Sequence, residues 1–567
     1  MQALLLIAPH IQHGVALSPG VNSLLGEFSY ATSFPQPILM SAAFDDPLIQ
    51  QVASIIEQRR GLQQFGRAGL DFWTPNITVG IQGSSLGRGQ ETPGEDPYRL
   101  SQYVYNLIIA SSGLDPKPYF KSSPTATFAA YDLDNWRASR GRCGCAARRT
   151  DIDCGDFSSE YLPVALDQGL ITETTSKRPP SANTPRLSAR ILRPRGVSAY
   201  RQLGWSDVNT LLAQQLAYTA PPRYHAAQER WHAPLSPRLK KLALVGPWAN
   251  ATTLMQGNYD GIAPFPSARF SVRRARARMD LPRRWRPAGG GRGGVAGGLD
   301  ETVEREALDR LNLTWPGTSY NLSPSSSASG SRSSSPSSAG LTPSSGAIPR
   351  SEWRTALFAI ITGKVAPAGR LPITQYPAIY ATQVPMTDMT LRPSATNPGR
   401  TYKWYTGTPV FEFGFGLHYT TFGFEWAAAP ASTYSIQTLM GDARKTAGFT
   451  DLAPLDTFAV RVSNTGKVTS DYVALLFVSG TFGPAPHPNK QLVSYTRVHG
   501  LAAGEHTTAT LPVTLGSIAR ADEAGNMWVY PGSYKLALDA TGLLTHEFTL
   551  TGTAAQITTW PSDTTSA

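Results

Sequence analysis

The chain has 567 residues, of which 41% are hydrophobic and 10% aromatic, so it can build several buried cores and is not globally disordered. Its formal net charge of +11 is local, because nine arginines lie between Arg269 and Arg292 and the rest of the chain is close to neutral. Apart from Trp285, base-stacking aromatic residues are not interleaved with the arginines, and the run matches no nucleic-acid-binding motif, so the charge does not predict a nucleic-acid partner. No apolar run is long enough to predict a membrane span.

The first region, residues 1–177, alternates between helical and extended patterns. Phe44 to Arg60 is predicted to be an amphipathic helix, Gly69 to Pro75 a buried strand and Tyr98 to Ala110 a second helix. The apolar residues of the first helix recur on one face: Leu48, Val52, Ile55 and Ile56. Such alternation predicts a parallel α/β domain.

The middle of the chain is less regular. Residues 178–238 show no sustained period and are predicted to be a linker with one helical island at Tyr200 to Thr219. Residues 239–425 are predicted to form a second α/β domain, which opens with a buried strand at Leu239 to Gly246. Two low-complexity stretches, residues 263–296 and 318–350, interrupt it; the first is rich in Arg, Gly and Pro and the second in Ser.

The last region, residues 450–560, is predicted to be a β-sandwich of the fibronectin type III or immunoglobulin kind. Short alternating runs are separated by turn signals such as Asn464-Thr-Gly466 and Tyr530-Pro-Gly-Ser533. The predicted strands include Thr457 to Val462, Tyr472 to Val478, Thr507 to Val513, Tyr534 to Leu538 and His546 to Leu550.

Several longer blocks of sequence are too specific to occur by chance. They include Gly66 to Asn76, Gly87 to Pro97, Gly297 to Arg310, Pro367 to Thr374 and Phe411 to Tyr419. In order, these blocks resemble the fungal β-xylosidases of glycoside hydrolase family 3, over about two thirds of the chain. The resemblance implies a (β/α)8-like barrel, an α/β sandwich and a C-terminal fibronectin type III-like domain. It also implies the release of xylose from the non-reducing ends of xylo-oligosaccharides or xylan, with retention.

The chain departs from that family where the catalytic nucleophile should lie. The family has a long segment between the positions of Trp136 and Thr150, including a Ser-Asp-Cys-Asp motif that this chain lacks. The first domain is therefore expected to be an incomplete barrel, since about 250 residues is usual for a whole one. Wrong reading frames are our hypothesis for the Arg- and Ser-rich stretches, and genuine inserts are the alternative.

Retaining hydrolysis uses a nucleophilic carboxylate and a second carboxyl that acts as acid and base. The resemblance implies that Glu304 is this acid/base, with Glu301 and Glu306 as competitors in the same motif. On composition alone, these carboxylates equally favour an ordinary acidic helix start after Asp300.

For sugar binding, the resemblance implies Arg88 and Glu91. Arginine donates paired hydrogen bonds and glutamate accepts them from hydroxyls. Trp73 is a candidate for stacking on a sugar face, or a core residue at the end of a strand. Asp71 is a further candidate, or a buried structural carboxylate.

No metal site is predicted, because the three cysteines (Cys143, Cys145 and Cys154) have neither disulfide-framework nor zinc spacing. No cofactor is predicted, because the sugar chemistry requires none. Four glycosylation sequons, at Asn76, Asn250, Asn312 and Asn321, and the family resemblance favour an extracellular glycoprotein. Residues 1–16 resemble a signal peptide poorly. Two functions remain open: a xylose-releasing hydrolase, impaired by the missing nucleophile, and an inactive carbohydrate-binding pseudo-enzyme. Neither a nucleic acid nor a membrane is predicted as a partner, and the oligomeric state is unknown.

Overall fold

The computed structural model describes several separate parts of the chain. They are residues 34–35, 37–63, 71–72, 89–112, 123–124, 166–167, 210–216, 242–245, 292–295, 359–360, 362–385, 388, 390–446 and 449–559.

The first described part is a small helical layer. It consists of α1 (Pro37–Ser41), α2 (Asp46–Gln63) and α3 (Pro97–Ser112). Both helices predicted from apolar spacing are thus confirmed, because α2 and α3 pack against each other through the expected apolar face. The buried side chains of this layer include Met40, Leu48, Val52, Ile55, Tyr103 and Leu107.

An aspartate precedes each long helix. The backbone N–H of Leu48 donates to Oδ1 of Asp45 (3.2 Å), and the N–H of Arg99 donates to Oδ1 of Asp96 (2.7 Å). Each carboxylate satisfies a donor that the first turn of a helix leaves open, so both helices begin where their sequences favour a start.

Two pairs of short strands are parallel. Strand β1 (Asp71–Phe72) pairs with β2 (Ser123–Pro124), and β3 (Leu242–Val245) pairs with β4 (Arg292–Val295). Parallel pairing confirms the α/β character predicted for both regions. Strand β4 lies inside the Arg-, Gly- and Pro-rich stretch 263–296, for which no strand was predicted. Its Gly-Gly-Val sequence carries little signal of its own, and its extended form depends on pairing with β3.

The C-terminal region is a β-sandwich, as predicted. Its strands are β5 (Phe422–Trp426), β6 (Thr433–Ser435), β7 (Pro454–Asn464), β8 (Ser470–Gly480), β9 (Gln491–Leu501), β10 (His506–Thr514), β11 (Arg520–Ala521), β12 (Met527–Val529), β13 (Gly532–Leu538), β14 (Leu544–Thr551) and β15 (Ala555–Thr558). One sheet has the order β10-β7-β5 and the other β6-β14-β13-β8-β9, while β11, β12 and β15 form a small third sheet. All five predicted strands are confirmed. Strands β5, β6, β9, β11, β12 and β15 were not among them.

Strand β8 is buried on both faces, which explains its unbroken apolar run. One face, with Tyr472 and Leu476, packs into the core of the sandwich. The other face, with Val473, Leu475 and Phe477, packs against Phe44 and the aromatic residues Tyr402 and Phe413. A second core therefore joins the sandwich to earlier parts of the chain.

Buried polar contacts reinforce that second core. Arg370 Nη2 lies 2.9 Å from Asp539 Oδ2, and both side chains are almost fully buried. Arg99, which is 0% exposed, donates to Asp46 of α2 (2.8 Å) and to the hydroxyl of Tyr495 on β9 (2.6 Å). These contacts fix the helical layer and the 362–420 segment against one face of the sandwich.

Among the residues described, no helix has the length and apolarity needed to cross a bilayer.

Candidate active site

Of the predicted site residues, the structure describes the side chain of one and the backbone of another. Glu91 ends a 3-10 turn, Gly89–Glu91, and its side chain is fully buried. Asp71 opens strand β1, opposite Ser123 of β2. Predictions for Arg88, Trp73, Glu301, Glu304 and Glu306 lie outside the described residues, so their roles stay predictions.

The buried state of Glu91 bears on its predicted role. A carboxylate at zero exposure is held by protein neighbours, and it contacts a sugar only where a bound ligand replaces one of those neighbours. Its predicted role as a sugar ligand therefore stays a prediction. What the structure does establish is how firmly the segment that follows Glu91 is held.

Residues 92–96 lie directly against the 370–376 segment. The N–H of Glu95 donates to the carbonyl oxygen of Pro372 (3.1 Å). Gly94 has a φ of +148°, and a Cβ at that position would lie 2.6 Å from the same carbonyl oxygen. Only glycine permits this approach without strain, so Gly94 sets how closely the two segments pack.

Glu95 is buried and is held by two donors from distant parts of the chain. Its Oε1 accepts a hydrogen bond from the Thr374 hydroxyl (2.6 Å) and another from the backbone N–H of Tyr402 (2.8 Å). Burial raises the pKa of Glu95 to about 7, although the hydrogen bonds from Thr374 and Tyr402 pull it down. Glu95 can therefore exchange a proton near neutral pH.

Asp96 is held by the same neighbourhood. Its Oδ2 accepts a hydrogen bond from the Tyr402 hydroxyl (2.6 Å), and that hydroxyl accepts one from the N–H of Leu492 (2.8 Å). Burial raises the pKa of Asp96, and the positive charge of Lys403 opposes that rise. Tyr402 thus connects the 92–96 segment to strand β9 of the sandwich.

Tyr402 is itself rigidly placed. It belongs to the short helix Thr401–Trp404, and its ring stacks on Phe413 with centroids 4.4 Å apart. The backbone N–H of Thr401 donates to the hydroxyl of Tyr376 (2.6 Å), which ties this helix to the 370–376 segment. Aromatic stacking and a bonded hydroxyl together leave Tyr402 little freedom.

Sequence reasoning missed the role of Glu95 and its partners. The Glu95-Asp96-Pro97 tripeptide signals a helix start, since an N-cap aspartate followed by proline is typical of one. No local signal identifies Thr374 or Tyr402 as partners, because they lie 279 and 307 positions away along the chain.

The Glu95 and Asp96 carboxyls are not suited to attack a sugar, because both are enclosed and bonded to protein donors. They are suited to hold the Gly89–Glu91 turn in place. Within the described ranges, no group of three or more His, Cys, Asp or Glu side chains is arranged to hold a metal ion.

Comparison with known proteins identifies the family of the chain. A model of the fibronectin type III-like domain matches residues 472–541. The chain is 36% identical to a probable exo-1,4-β-xylosidase bxlB of Aspergillus fumigatus, covering 97% of this chain and 87% of that protein. It is also 36% identical to a probable exo-1,4-β-xylosidase xlnD of Neosartorya fischeri, with the same coverage.

Solved structures give the same result. The chain matches a GH3 exo-β-xylosidase (XlnD), solved with a xylobiose aziridine activity-based probe, at a TM-score of 0.76 and 30% identity. The match covers 95% of this chain and 86% of that one. A GH3 β-glucosidase of Bifidobacterium adolescentis, at 16% identity and a TM-score of 0.62, shares the fold.

The alignment with bxlB has a further feature. It runs over 682 positions, which exceeds the 567 residues of this chain by 115. The relative therefore contains at least that many positions without a counterpart here, in keeping with segments missing from an otherwise similar protein. The similarity nevertheless runs almost end to end, and it matches the α/β regions and the C-terminal β-sandwich in order. The chain belongs to the exo-1,4-β-xylosidases of glycoside hydrolase family 3.

Proposed function

We propose that this chain is a retaining β-xylosidase by descent, with the sugar-binding scaffold kept and catalysis impaired. The substrate class is xylo-oligosaccharide or xylan, from which xylose is released at the non-reducing end. The observation that carries this proposal is the 36% identity to exo-1,4-β-xylosidases over 97% of the chain.

The proposed reaction needs an acid/base, which this chain has, and a nucleophilic carboxylate, which it lacks. Glu304 is the acid that protonates the leaving oxygen and then, as base, activates water. A carboxylate about 5–5.5 Å away must attack the anomeric carbon to form the sugar ester. The Ser-Asp-Cys-Asp motif that supplies it in this family is absent from this chain, so the ester cannot form in the usual way.

The test separates binding from turnover. The purified 567-residue chain is assayed with an aryl β-xyloside beside an intact exo-xylosidase, and xylobiose binding is measured by calorimetry. We expect binding with turnover lower by several orders of magnitude, since loss of a nucleophile typically costs that much. Turnover near that of the intact enzyme would refute the claim that the nucleophile is missing. Absence of both binding and turnover would refute the claim that the sugar-binding scaffold is retained.

A binding-only role is the second candidate. The same assay supports it if xylobiose binds while turnover does not exceed that of a Glu304→Gln variant. In that case Glu304 contributes nothing to reaction, and the chain is a carbohydrate-binding pseudo-enzyme.

We also propose that the protein is secreted and glycosylated, as the sequons at Asn76, Asn250, Asn312 and Asn321 favour. Expression in a secreting fungal host, followed by enzymatic removal of N-glycans, tests this. Recovery in the medium with a mobility shift on deglycosylation supports the proposal, and retention inside the cell without a shift contradicts it.

A further inference from the structure

The carboxyl of Glu95 occupies an unusual position. It is 2% exposed, and its hydrogen bonds come from neutral donors, among them the Thr374 hydroxyl and the Tyr402 N–H. Within the described part of the chain, no cation forms a salt bridge with it. An ionised carboxylate at this buried position loses its hydration free energy, and neutral hydrogen-bond donors without a cation offset that loss poorly.

The groups that face Glu95 come from each segment packed around it. Its own segment contributes a second carboxyl, that of Asp96, which disfavours ionisation of Glu95 further. The 370–376 segment and the two short helices that follow contribute hydroxyls that interact with it electrostatically, those of Tyr376, Tyr380 and Tyr402. The nearest cations act on its neighbours instead, Lys403 on Asp96 and Arg400 on Tyr376.

Glu95 is close enough to the Gly89–Glu91 turn in the chain for its protonation state to affect the position of that turn. Glu95 lies four positions after Glu91, and the intervening backbone is anchored at Pro372 through the N–H of Glu95 and the close approach of Gly94. Asp96, on the other side, is anchored to Tyr402. A change at Glu95 therefore acts on the segment that ends the Gly89–Glu91 turn.

We propose that Glu95 is a positioning residue that locks the Gly89–Glu91 turn onto Thr374 and Tyr402, and that loss of its proton loosens this lock and weakens sugar binding. The inference rests on the proposed function and on the prediction, implied by the family resemblance, that Arg88 and Glu91 bind the sugar. The neutral carboxyl stays buried and keeps both hydrogen bonds. The ionised carboxyl regains water only by separating residues 92–96 from the 370–376 segment.

The pH window follows from the raised pKa of Glu95. A carboxyl whose pKa is raised on folding, from 4.5 to about 7, favours the locked state most at low pH. That contribution is lost as the pH rises through about 7. The lock is therefore closed in acidic solution and weakened in alkaline solution.

The test uses the full chain, with xylobiose as the probe. Calorimetry between about pH 5 and pH 8 should show the Kd of the unmodified chain rising about tenfold or more, since a tenfold change is the equivalent of one pH unit of proton linkage. The Glu95→Gln variant mimics the protonated carboxyl, so its Kd should stay within about twofold of the acid value across that range. A merely structural Glu95 would not produce this difference in pH profile.

A matched control is Asp388→Asn. Asp388 also accepts two hydrogen bonds from Thr390, but it is half-exposed and its side-chain hydrogen bonds go to Thr390 and Asn397 and not to residues 92–96, so the pH dependence of binding should persist. If Glu95→Gln keeps the pH dependence of the unmodified chain, or if Asp388→Asn abolishes it, the proposal is overturned.

A second measurement keeps the lock testable if xylobiose does not bind at all, which would refute the proposed function alone. Hydrogen–deuterium exchange is followed over residues 89–96 and corrected for the intrinsic effect of pH. Protection should fall as the pH rises from about 5 to about 7 in the unmodified chain and remain in Glu95→Gln. Equal protection in the two proteins at all pH values would contradict the proposed role of Glu95.

Discussion

The hydroxyl of Tyr402 donates a 2.6 Å hydrogen bond to Oδ2 of Asp96, a residue 306 positions earlier in the chain. The same hydroxyl accepts from the N–H of Leu492 in the sandwich. One buried oxygen atom thus joins the N-terminal part of the chain, the 401–404 helix and the C-terminal domain. The candidate sugar-binding turn is positioned by all three, not by its own domain alone.

Replacing Tyr402 with Phe tests this junction. The ring and its stacking on Phe413 remain, but Asp96 and the Leu492 N–H each lose a buried partner. We expect the free energy of unfolding to fall by about 1–3 kcal/mol, because unpaired buried polar groups are costly. Urea denaturation measures the change.

The control is Tyr105→Phe on α3, where the side chain is 59% exposed. That change should stay within about 0.5 kcal/mol. Equal effects of the two substitutions would contradict the role assigned to the Tyr402 hydroxyl.

Gly94→Ala should disturb the contact between the two segments. Its φ of +148° disfavours any side chain, and the new Cβ would meet the backbone carbonyl of Pro372, which cannot swing aside as a side chain would. We expect a loss of about 1–3 kcal/mol, measured by urea denaturation.

Gly441→Ala provides the opposite case. Gly441 lies in the helix Ile436–Thr446, and a Cβ there meets nothing within 4 Å. This variant should gain about 0.5–1 kcal/mol from helix propensity. A stable Gly94→Ala variant would show that residues 92–96 are not held closely against Pro372.

The contacts of Asp471 predict a second pH dependence, that of folding stability, with the opposite sign to that of Glu95. Burial alone raises its pKa, but contacts with His499, Arg497 and the Gly500 N–H outweigh burial and hold the pKa well below its usual value. A depressed pKa stabilises the fold above the unfolded-state pKa of about 4, and this contribution is lost as the pH falls below it.

The Asp471→Asn variant should therefore lose about 1–3 kcal/mol at neutral pH, and the difference from the unmodified chain should shrink on acidification. Thermal unfolding at a series of pH values measures this. Glu547→Gln, on the exposed side of strand β14, is the control and should show little change at any pH. A difference that grows on acidification would contradict the assigned sign.

Glu304 can be tested once a nucleophile is restored. The segment that an intact exo-xylosidase relative carries is inserted between Trp136 and Thr150, and aryl β-xyloside turnover is measured. In an active chimaera, Glu304→Gln should lower kcat about 10²–10⁴-fold, the usual contribution of a general acid. Glu301→Gln and Glu306→Gln should have much smaller effects. If either of them lowers kcat more than Glu304→Gln does, the acid/base assignment moves to that residue.

Much of the secondary structure could be predicted from short-range patterns. Helix α2 follows from the spacing of Leu48, Val52 and Ile55, and strand β7 from its alternation of apolar and polar residues, since both patterns report which side of an element is buried. Strand β4 escaped prediction because its glycines carry no such pattern and only its partner β3 makes it extended.

The sequence by itself determined the class of the fold, the family and the absence of the nucleophile motif, because periodicity and motifs are written in neighbouring residues. Only the tertiary structure decided that Glu95 and Asp96 are buried and joined to Thr374 and Tyr402. The physical reason is that burial and hydrogen bonding depend on contacts between residues about 300 positions apart, which no local pattern encodes.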